Sequence, residues 1–183
     1  ADHIHDALKE LFNSDAKVIV FGDEELAAYK DKGKSPTAMD FNPQFSFDSF
    51  VVGPSNRFAH SAALAVSKTP GQVYNPLFIY GHSGLGKTHL LTAIMNEIKA
   101  QNPAADIIYT SGEHFTNELV YYIGNHNTYA FHEKYRNCDV LLVDDIHFIA
   151  RGETIQEEFF HTFNALNNNG SQIVLTSDRP PKE

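Results

Sequence analysis

The segment LFIYGHSGLGKT, from Leu77 to Thr88, decides the fold of this chain. It opens with apolar and aromatic residues, as a buried strand does, and continues with the pattern G-x-x-x-x-G-K-T of a phosphate-binding loop. In the segment that follows, from His89 to Ile98, apolar residues recur every three or four positions and predict a helix. A strand, a glycine-rich loop and a helix in this order form the context in which such a loop binds phosphates.

The loop offers the groups that a nucleoside triphosphate requires. Its glycines let the backbone approach phosphate oxygens, and the backbone N–H groups and the positive end of the helix face the anion. We expect Lys87 to bring a positive charge to the outer phosphates and Thr88 to bring a hydroxyl to Mg²⁺. The residues predicted to contact the nucleotide here are Gly81, Gly84, Leu85, Gly86, Lys87, Thr88 and His89.

A second informative segment runs from Cys138 to Asp145, where aliphatic residues end in two acids. A buried parallel strand delivers such acids to its carboxyl end, in the Walker B pattern. We expect Asp144 to bind Mg²⁺, directly or through water, and Asp145 to orient or deprotonate the attacking water. The alternative is a strand followed by a solvated acidic turn.

Strands alternate with helices along the rest of the chain, which favours an α/β fold with a parallel sheet flanked by helices. Further strands are predicted at 106–110 and 172–178, and helices at 58–67, 114–123, 128–135 and 154–166, with Ser55 or Asn56 as the N-cap of the first. The strand at 172–178 would place Thr176, Ser177 or Asp178 beside the γ-phosphate, unless its polar end has no ligand role. The aromatic residues Phe41, Phe45, Phe47 and Phe50 are either core or a slot for the base.

The composition indicates a soluble cytoplasmic protein. The chain has 183 residues, 42% of them hydrophobic, and a single cysteine, Cys138. Its net charge of -9 argues against a general nucleic-acid-coating surface but permits a local basic track. Residues 1–22 are predicted to be the remnant of an N-terminal domain, 23–44 a polar linker, and 45–183 a partial nucleotide-binding domain.

Several segments carry a family resemblance. They are FDSFVVGPSNRFAH (47–60), NPLFIYG (75–81), LLVDDI (141–146), EEFFHTFN (157–164) and LTSDR (175–179). Together they resemble the AAA+ domain of the bacterial chromosomal replication initiators of the DnaA family. The resemblance covers about 45–183, and that family's pattern would end here after its sensor 1 strand.

The resemblance implies that ATP, with ADP as the inactive alternative, controls assembly of a filament that opens a replication origin. It places Val52 and Asn56 near the base and ribose, and makes Asp178 the sensor 1 residue. The helical stretch 115–135 would be the insert that touches single-stranded DNA, with Val120 in contact, although Lys134 and Arg136 are its only basic residues. The other implied partners are duplex origin DNA through a C-terminal domain, the replicative helicase through the N-terminal domain, and acidic phospholipid.

The family's arginine finger, helical lid and helix-turn-helix domain have no counterpart in this sequence, so we expect a fragment with weak nucleotide binding and slow or absent hydrolysis. One alternative is a helicase loader or regulator with the same ATPase core, which acts through protein contacts. Another is a metabolic P-loop kinase, against which the aromatic segment and the insert helices argue.

Overall fold

A computed structural model describes residues 44–181, apart from the side chain of Arg151. Within these residues there is one sheet of four parallel strands, β1 (Leu77–Tyr80), β2 (Ile107–Ser111), β3 (Val140–Asp144) and β4 (Gln172–Ser177), in the spatial order β1-β4-β3-β2. The predicted α/β fold is therefore confirmed, and all four strands end at the same edge of the sheet. The predicted N-terminal remnant, residues 1–22, and the predicted linker up to residue 43 lie outside the described residues.

The helices in this part of the chain are α1 (Arg57–Lys68), α2 (Lys87–Gln101), α3 (Gly112–Gly124), α4 (Thr128–Arg136) and α5 (Glu153–Asn168), and a 3-10 helix covers Ile146–Arg151. The predicted helices are confirmed, with ends that differ by a few residues. One such difference is the start of α2, which begins at Lys87 rather than at His89. It begins there because the left-handed backbone of Gly86 ends the loop directly before it.

The sheet has a hydrophobic core on each face, and β3 contributes to both. Val140 and Leu142 face α1 and α2, whereas Leu141 and Val143 face the layer that contains α3, α4 and α5. Side chains of a strand alternate between the two faces, so a strand covered on both sides has an uninterrupted apolar sequence. This burial fixes β3 at the centre and directs its terminal Asp144 to the functional edge.

The entrance to α1 differs in detail from its prediction. Asn56 occupies the N-cap position, but its side chain does not bond to the helix. Its Oδ1 accepts from the N–H of Gly53 at 2.7 Å and its Nδ2 donates to the carbonyl of Val51 at 3.0 Å. Asn56 therefore stabilises the preceding loop instead of capping the helix.

No helix within residues 44–181 combines the length and the apolar character that a membrane crossing needs.

Candidate nucleotide-binding site

The loop between β1 and α2 has the backbone that its glycines predict. Gly84 and Gly86 have φ values of 81° and 89°, in a region that residues other than glycine rarely adopt. A Cβ on Gly86 would lie 2.7 Å from Cε2 of Phe50, whereas one on Gly84 would meet nothing within 4 Å. Gly86 is therefore required by packing as well as by conformation, and Gly84 leaves space where a ligand can approach the backbone.

Lys87 is the first residue of α2 and is only 8% exposed. Its ammonium donates to the carbonyls of Gly81 at 2.8 Å and His82 at 3.2 Å, and to Oδ1 of Asp178 at 2.5 Å. The hydrogen bond from Lys87 lowers the pKa of Asp178, and the residue is otherwise well exposed to solvent. The charge predicted to face phosphates is thus held at the mouth of the loop by an exposed carboxylate.

The first acid at the end of β3 is buried among hydroxyl groups. Asp144 is 7% exposed, and its Oδ2 accepts from the hydroxyl of Thr88 at 2.6 Å and from that of Tyr109 at 3.0 Å. Its Oδ1 accepts from the hydroxyl of Thr176 on β4. Burial, followed by the charge of Asp144, raises the pKa of Tyr109 well above its ordinary value, so the phenol remains a donor.

The second acid has an unusual backbone. Asp145 has a φ of 52°, in the left-handed region, and its N–H donates to Oγ1 of Thr176 at 2.9 Å. Partial burial raises the pKa of Asp145, and the negative charges of Asp144 and Asp178 raise it further. Such an environment favours the protonated carboxyl, which suits a group that accepts a proton from water.

These residues surround one cavity of about 350 Å³ at the carboxyl edge of the sheet. Its lining consists of Phe45, Ser83, Gly84, Gly86, Lys87, Thr88, His89, Asp145 and Asp178. Of the other predicted site residues, Gly81 contributes its carbonyl to Lys87, and Asp144 lies behind Thr88. Leu85, Val52 and Asn56 do not line this cavity, and the first two are largely exposed.

The aromatic segment divides between core and cavity. Phe50 belongs to the core, with Phe47 packed against it, while Phe45 lines the cavity. His89 lies between two of these rings, with centroids 5.1 Å from both Phe45 and Phe50, and its Nε2 is 2.8 Å from the carbonyl of Ser46. The core interpretation therefore holds for Phe50 and Phe47, whereas a slot for the base, beside Phe45, stays a prediction. The predicted residue Phe41 lies outside the described range.

Two neighbours of Asp144 were not assigned to it from the sequence. Thr176 was one of three residues, with Ser177 and Asp178, expected beside the γ-phosphate, and its hydroxyl is bonded to Asp144. Tyr109 was not assigned any role. It lies in β2, whose register sets Ser111 opposite Asp144, and a buried tyrosine usually needs a hydrogen-bond partner. The sequence signal for this role was a tyrosine within a predicted strand, whose hydroxyl needs such a partner once the strand is buried.

The predicted insert consists of α3 and α4. Val120 and Tyr121 of α3 are 58% and 61% exposed, and Tyr129 of α4 is 71% exposed. The two basic residues of the insert are both paired, since Lys134 donates to Glu118 at 2.7 Å and Arg136 bonds to Glu158 of α5. Their charges hold helices together, and the exposed surface at Val120 is apolar and aromatic.

A parallel sheet with a glycine-rich loop after one strand and two acids after another defines a nucleotide-binding domain of the P-loop class. The family model of the bacterial DnaA ATPase domain matches residues 41–183. This chain therefore belongs to the DnaA ATPase domain family.

Solved structures agree with this assignment. Domain III of the replication initiation protein DnaA from Thermotoga maritima is 47% identical, with a TM-score of 0.76 over 79% of this chain and 60% of that one. A replication initiator DnaA bound to AMPPCP and single-stranded DNA is 39% identical, with a TM-score of 0.74 over 78% of this chain and 44% of that one. The present chain thus spans less than two thirds of either relative.

The DnaC helicase loader is similar in fold, with a TM-score of 0.65 over 78% of this chain and 81% of the loader, but at 18% identity. This likeness extends to the fold alone.

Proposed function

We propose that this chain is the nucleotide-binding part of a bacterial chromosomal replication initiator, in which ATP sets the active state and ADP the inactive one. The observation that carries the proposal is the convergence of Lys87, Asp145 and Asp178 on the cavity beside the glycine-rich loop. The triphosphate would replace Asp178 as the partner of Lys87, and backbone N–H groups at the start of α2 would hold its oxygens. The AMPPCP bound to a 39% identical initiator supports this assignment.

The side chains fit a magnesium ion that is shared with the nucleotide. Thr88 and Asp144 offer a hydroxyl and a carboxylate whose oxygens are 2.6 Å apart, and oxygen atoms are the ligands that Mg²⁺ prefers. Between residues 44 and 181 no group of three or more His, Cys, Asp or Glu side chains could hold a metal. Thr88 and Asp144 would therefore bind Mg²⁺ together with phosphate oxygens and water, as Mg²⁺ usually binds beside nucleotides.

Hydrolysis would depend on the two acids that line the cavity. Bound Mg²⁺ would neutralise charge that develops on the phosphate oxygens. Asp145 would orient the attacking water and accept its proton, and Asp178 would detect the γ-phosphate through its exchange with Lys87. Among the described residues that line the cavity none is an arginine, so we expect slow turnover, consistent with a switch.

Single-stranded DNA would bind at the insert, with Val120 in contact. An initiator of this family has been solved with single-stranded DNA, which supports this ligand, while the insert as its place is proposed on the family resemblance. Because Lys134 and Arg136 are already paired, binding here would depend on apolar contact and backbone groups, and would show a shallow dependence on salt. Val120→Ser should weaken binding of an oligonucleotide several-fold, whereas substitution of the exposed Phe160 on α5 should not.

The remaining partners are proposed on the family relationship alone. They are self-assembly into a filament, duplex origin DNA, the replicative helicase and acidic phospholipid, with the cytoplasm as the location. A helicase loader remains the second candidate, and 39–47% identity to initiators against 18% to a loader favours the initiator.

Titration of the chain with ATP and with ADP, in Mg²⁺ and in EDTA, tests the proposal. We expect saturable binding of both nucleotides, tighter with Mg²⁺. Absence of binding would contradict the assignment, and phosphoryl transfer to a small acceptor would favour a kinase instead.

A further inference from the structure

The carboxylate of Asp144 is held by three hydroxyl groups from three different elements. Thr88 comes from the start of α2, Tyr109 from β2 and Thr176 from β4. A carboxylate has about four lone-pair positions, so three donors leave about one for a further contact. The direction of that last position is fixed by the three bonds that are already made.

The three donors are not equivalent. Thr88, in the first turn of α2, lines the cavity, so it lies where a ligand would enter. Tyr109 does not line the cavity; its ring is 8% exposed and lies in the core between β2 and its neighbours. The hydroxyls of Thr88 and Tyr109 meet at the same oxygen, Oδ2. If Thr88 turns toward a bound ion, Tyr109 is the donor that still holds this oxygen in place.

We propose that Tyr109 is a positioning residue: its phenol O–H holds Oδ2 of Asp144 in the orientation from which Asp144 and Thr88 bind Mg²⁺ beside a nucleotide. This inference rests on the proposed function of the site. It assigns to β2 a part in metal binding, although β2 lies at the far edge of the sheet from the strand that precedes the glycine-rich loop. In metal sites generally, removal of a hydrogen-bond donor that orients a metal ligand lowers metal affinity or activity about 10- to 100-fold.

The test is the Mg²⁺ dependence of ATP binding by Tyr109→Phe, measured by calorimetry on the whole 183-residue chain. This substitution removes one oxygen and keeps the buried ring. The Mg²⁺ concentration for half-maximal tightening should rise about 10-fold, while ATP affinity in EDTA stays the same. If Tyr109 had only a structural role, its substitution would change ATP affinity equally in Mg²⁺ and in EDTA. Tyr109→Met, which removes the hydroxyl and places a smaller, flexible apolar side chain at the buried position, should reproduce the shift.

Tyr135→Phe is the matched control. Tyr135 of α4 is also a buried tyrosine bonded to a carboxylate, that of Glu118 of α3 at 2.5 Å, but neither residue lines the cavity. Its substitution should leave the Mg²⁺ midpoint unchanged. If the parent chain responds to Mg²⁺ and Tyr109→Phe responds identically, the inference about Tyr109 is overturned and the proposed function stands. If the parent chain binds ATP equally in Mg²⁺ and in EDTA, the inference about Tyr109 is overturned while nucleotide binding stands. If the parent chain binds no ATP at all, the proposed function fails.

Discussion

The ammonium of Lys87 lies 2.5 Å from Oδ1 of Asp178 and joins the first residue of α2 to the residue that follows β4. Because the lysine is buried and the aspartate is exposed, the pair stands at the boundary between the protein and the cavity. An entering phosphate can compete for the same ammonium without breaking any part of the sheet. Under the proposed function, Asp178 would respond to the outermost phosphate through this pair.

We expect Lys87→Ala to weaken ATP binding about 10- to 100-fold, since a hydrogen bond to a charged group contributes about 1.5–3 kcal/mol. Calorimetric titration with ATP measures the change. Lys99→Ala is the control, because Lys99 lies near the other end of the same helix and donates to the carbonyl of Ala105 at 2.6 Å. Equal ATP affinity of the parent chain and Lys87→Ala would show that Lys87 does not contact the bound nucleotide.

Gly86→Ala should disturb both the fold and the site. The new Cβ would meet the ring of Phe50 at 2.7 Å, and a left-handed backbone costs a residue with a side chain about 1–2 kcal/mol. We expect at least this loss in the free energy of unfolding, measured by urea denaturation, together with weaker ATP binding.

Gly124→Ala provides the comparison for Gly86→Ala. Gly124 ends α3, and a Cβ there would meet nothing within 4 Å. Its replacement should leave ATP binding unchanged and be neutral or slightly stabilising, by up to about 1 kcal/mol. If both variants lost the same stability, the conflict with Phe50 would not be the cause.

The sequence predicted most of the fold because each element has a local signal. The glycine-rich loop, the apolar run before Asp144 and the helical spacing of Ile155, Phe159 and Phe163 are all legible within a few residues. The bounds of α2 were less well predicted, since the helix begins at Lys87, a residue assigned to the loop by its motif. A motif describes chemistry, and the backbone that carries it can already be helical.

The site was predicted less completely, because its hydrogen bonds join segments that are distant in sequence. Tyr109 and Asp144 are 35 residues apart, and Lys87 and Asp178 are 91 apart. A strand register is needed to bring such pairs together, and no local pattern specifies it. For the same reason the sequence showed Lys134 and Arg136 as available charges, although Glu118 and Glu158 pair with them.

Asp145→Asn should slow any ATP hydrolysis about 100-fold or more without loss of ATP binding, because a general base contributes about 10²- to 10⁴-fold. Phosphate release measures the rate and calorimetry the affinity. Thr176 accepts from the backbone N–H of Asp145, and asparagine tolerates a left-handed backbone, so the loop should retain its conformation. An undiminished rate would contradict the assigned role.

Asp145→Asn should also change how the stability of the fold depends on pH. Burial and the charges of Asp144 and Asp178 raise the pKa of Asp145, so its ionisation disfavours the folded state. This cost appears as pH rises above the ordinary value of about 4 and is complete above the raised pKa. Asp145→Asn should therefore stabilise the chain at pH 7 and have no such effect at acidic pH. Thermal unfolding of the variant and the parent chain at pH 7 and at acidic pH tests whether the difference in stability has this sign.

Glu118 joins α3 to α4 through hydrogen bonds. Its substitution should destabilise the insert and leave the nucleotide site intact. Its carboxylate accepts from Lys134 at 2.7 Å and from the hydroxyl of Tyr135 at 2.5 Å. Burial opposes its ionisation, but the hydrogen bonds from Lys134 and Tyr135 together outweigh burial and lower the pKa of Glu118. An acid with a lowered pKa stabilises the fold at neutral pH, and this contribution is lost as pH falls below about 4.3 and through the lowered value.

We therefore expect Glu118→Gln to lose about 1–3 kcal/mol of stability at pH 7, the cost of leaving buried donors poorly paired, and much less at acidic pH. Glu113→Gln, an exposed substitution in the first turn of the same helix, should change stability little. ATP binding should survive in both variants, because Lys134 and Tyr135, to which Glu118 bonds, do not line the cavity. Binding of single-stranded DNA should weaken in Glu118→Gln alone as α3 loses its support. A Glu118→Gln variant with full stability at pH 7 would show that the packing of Phe115 and Phe131 holds the insert without this carboxylate.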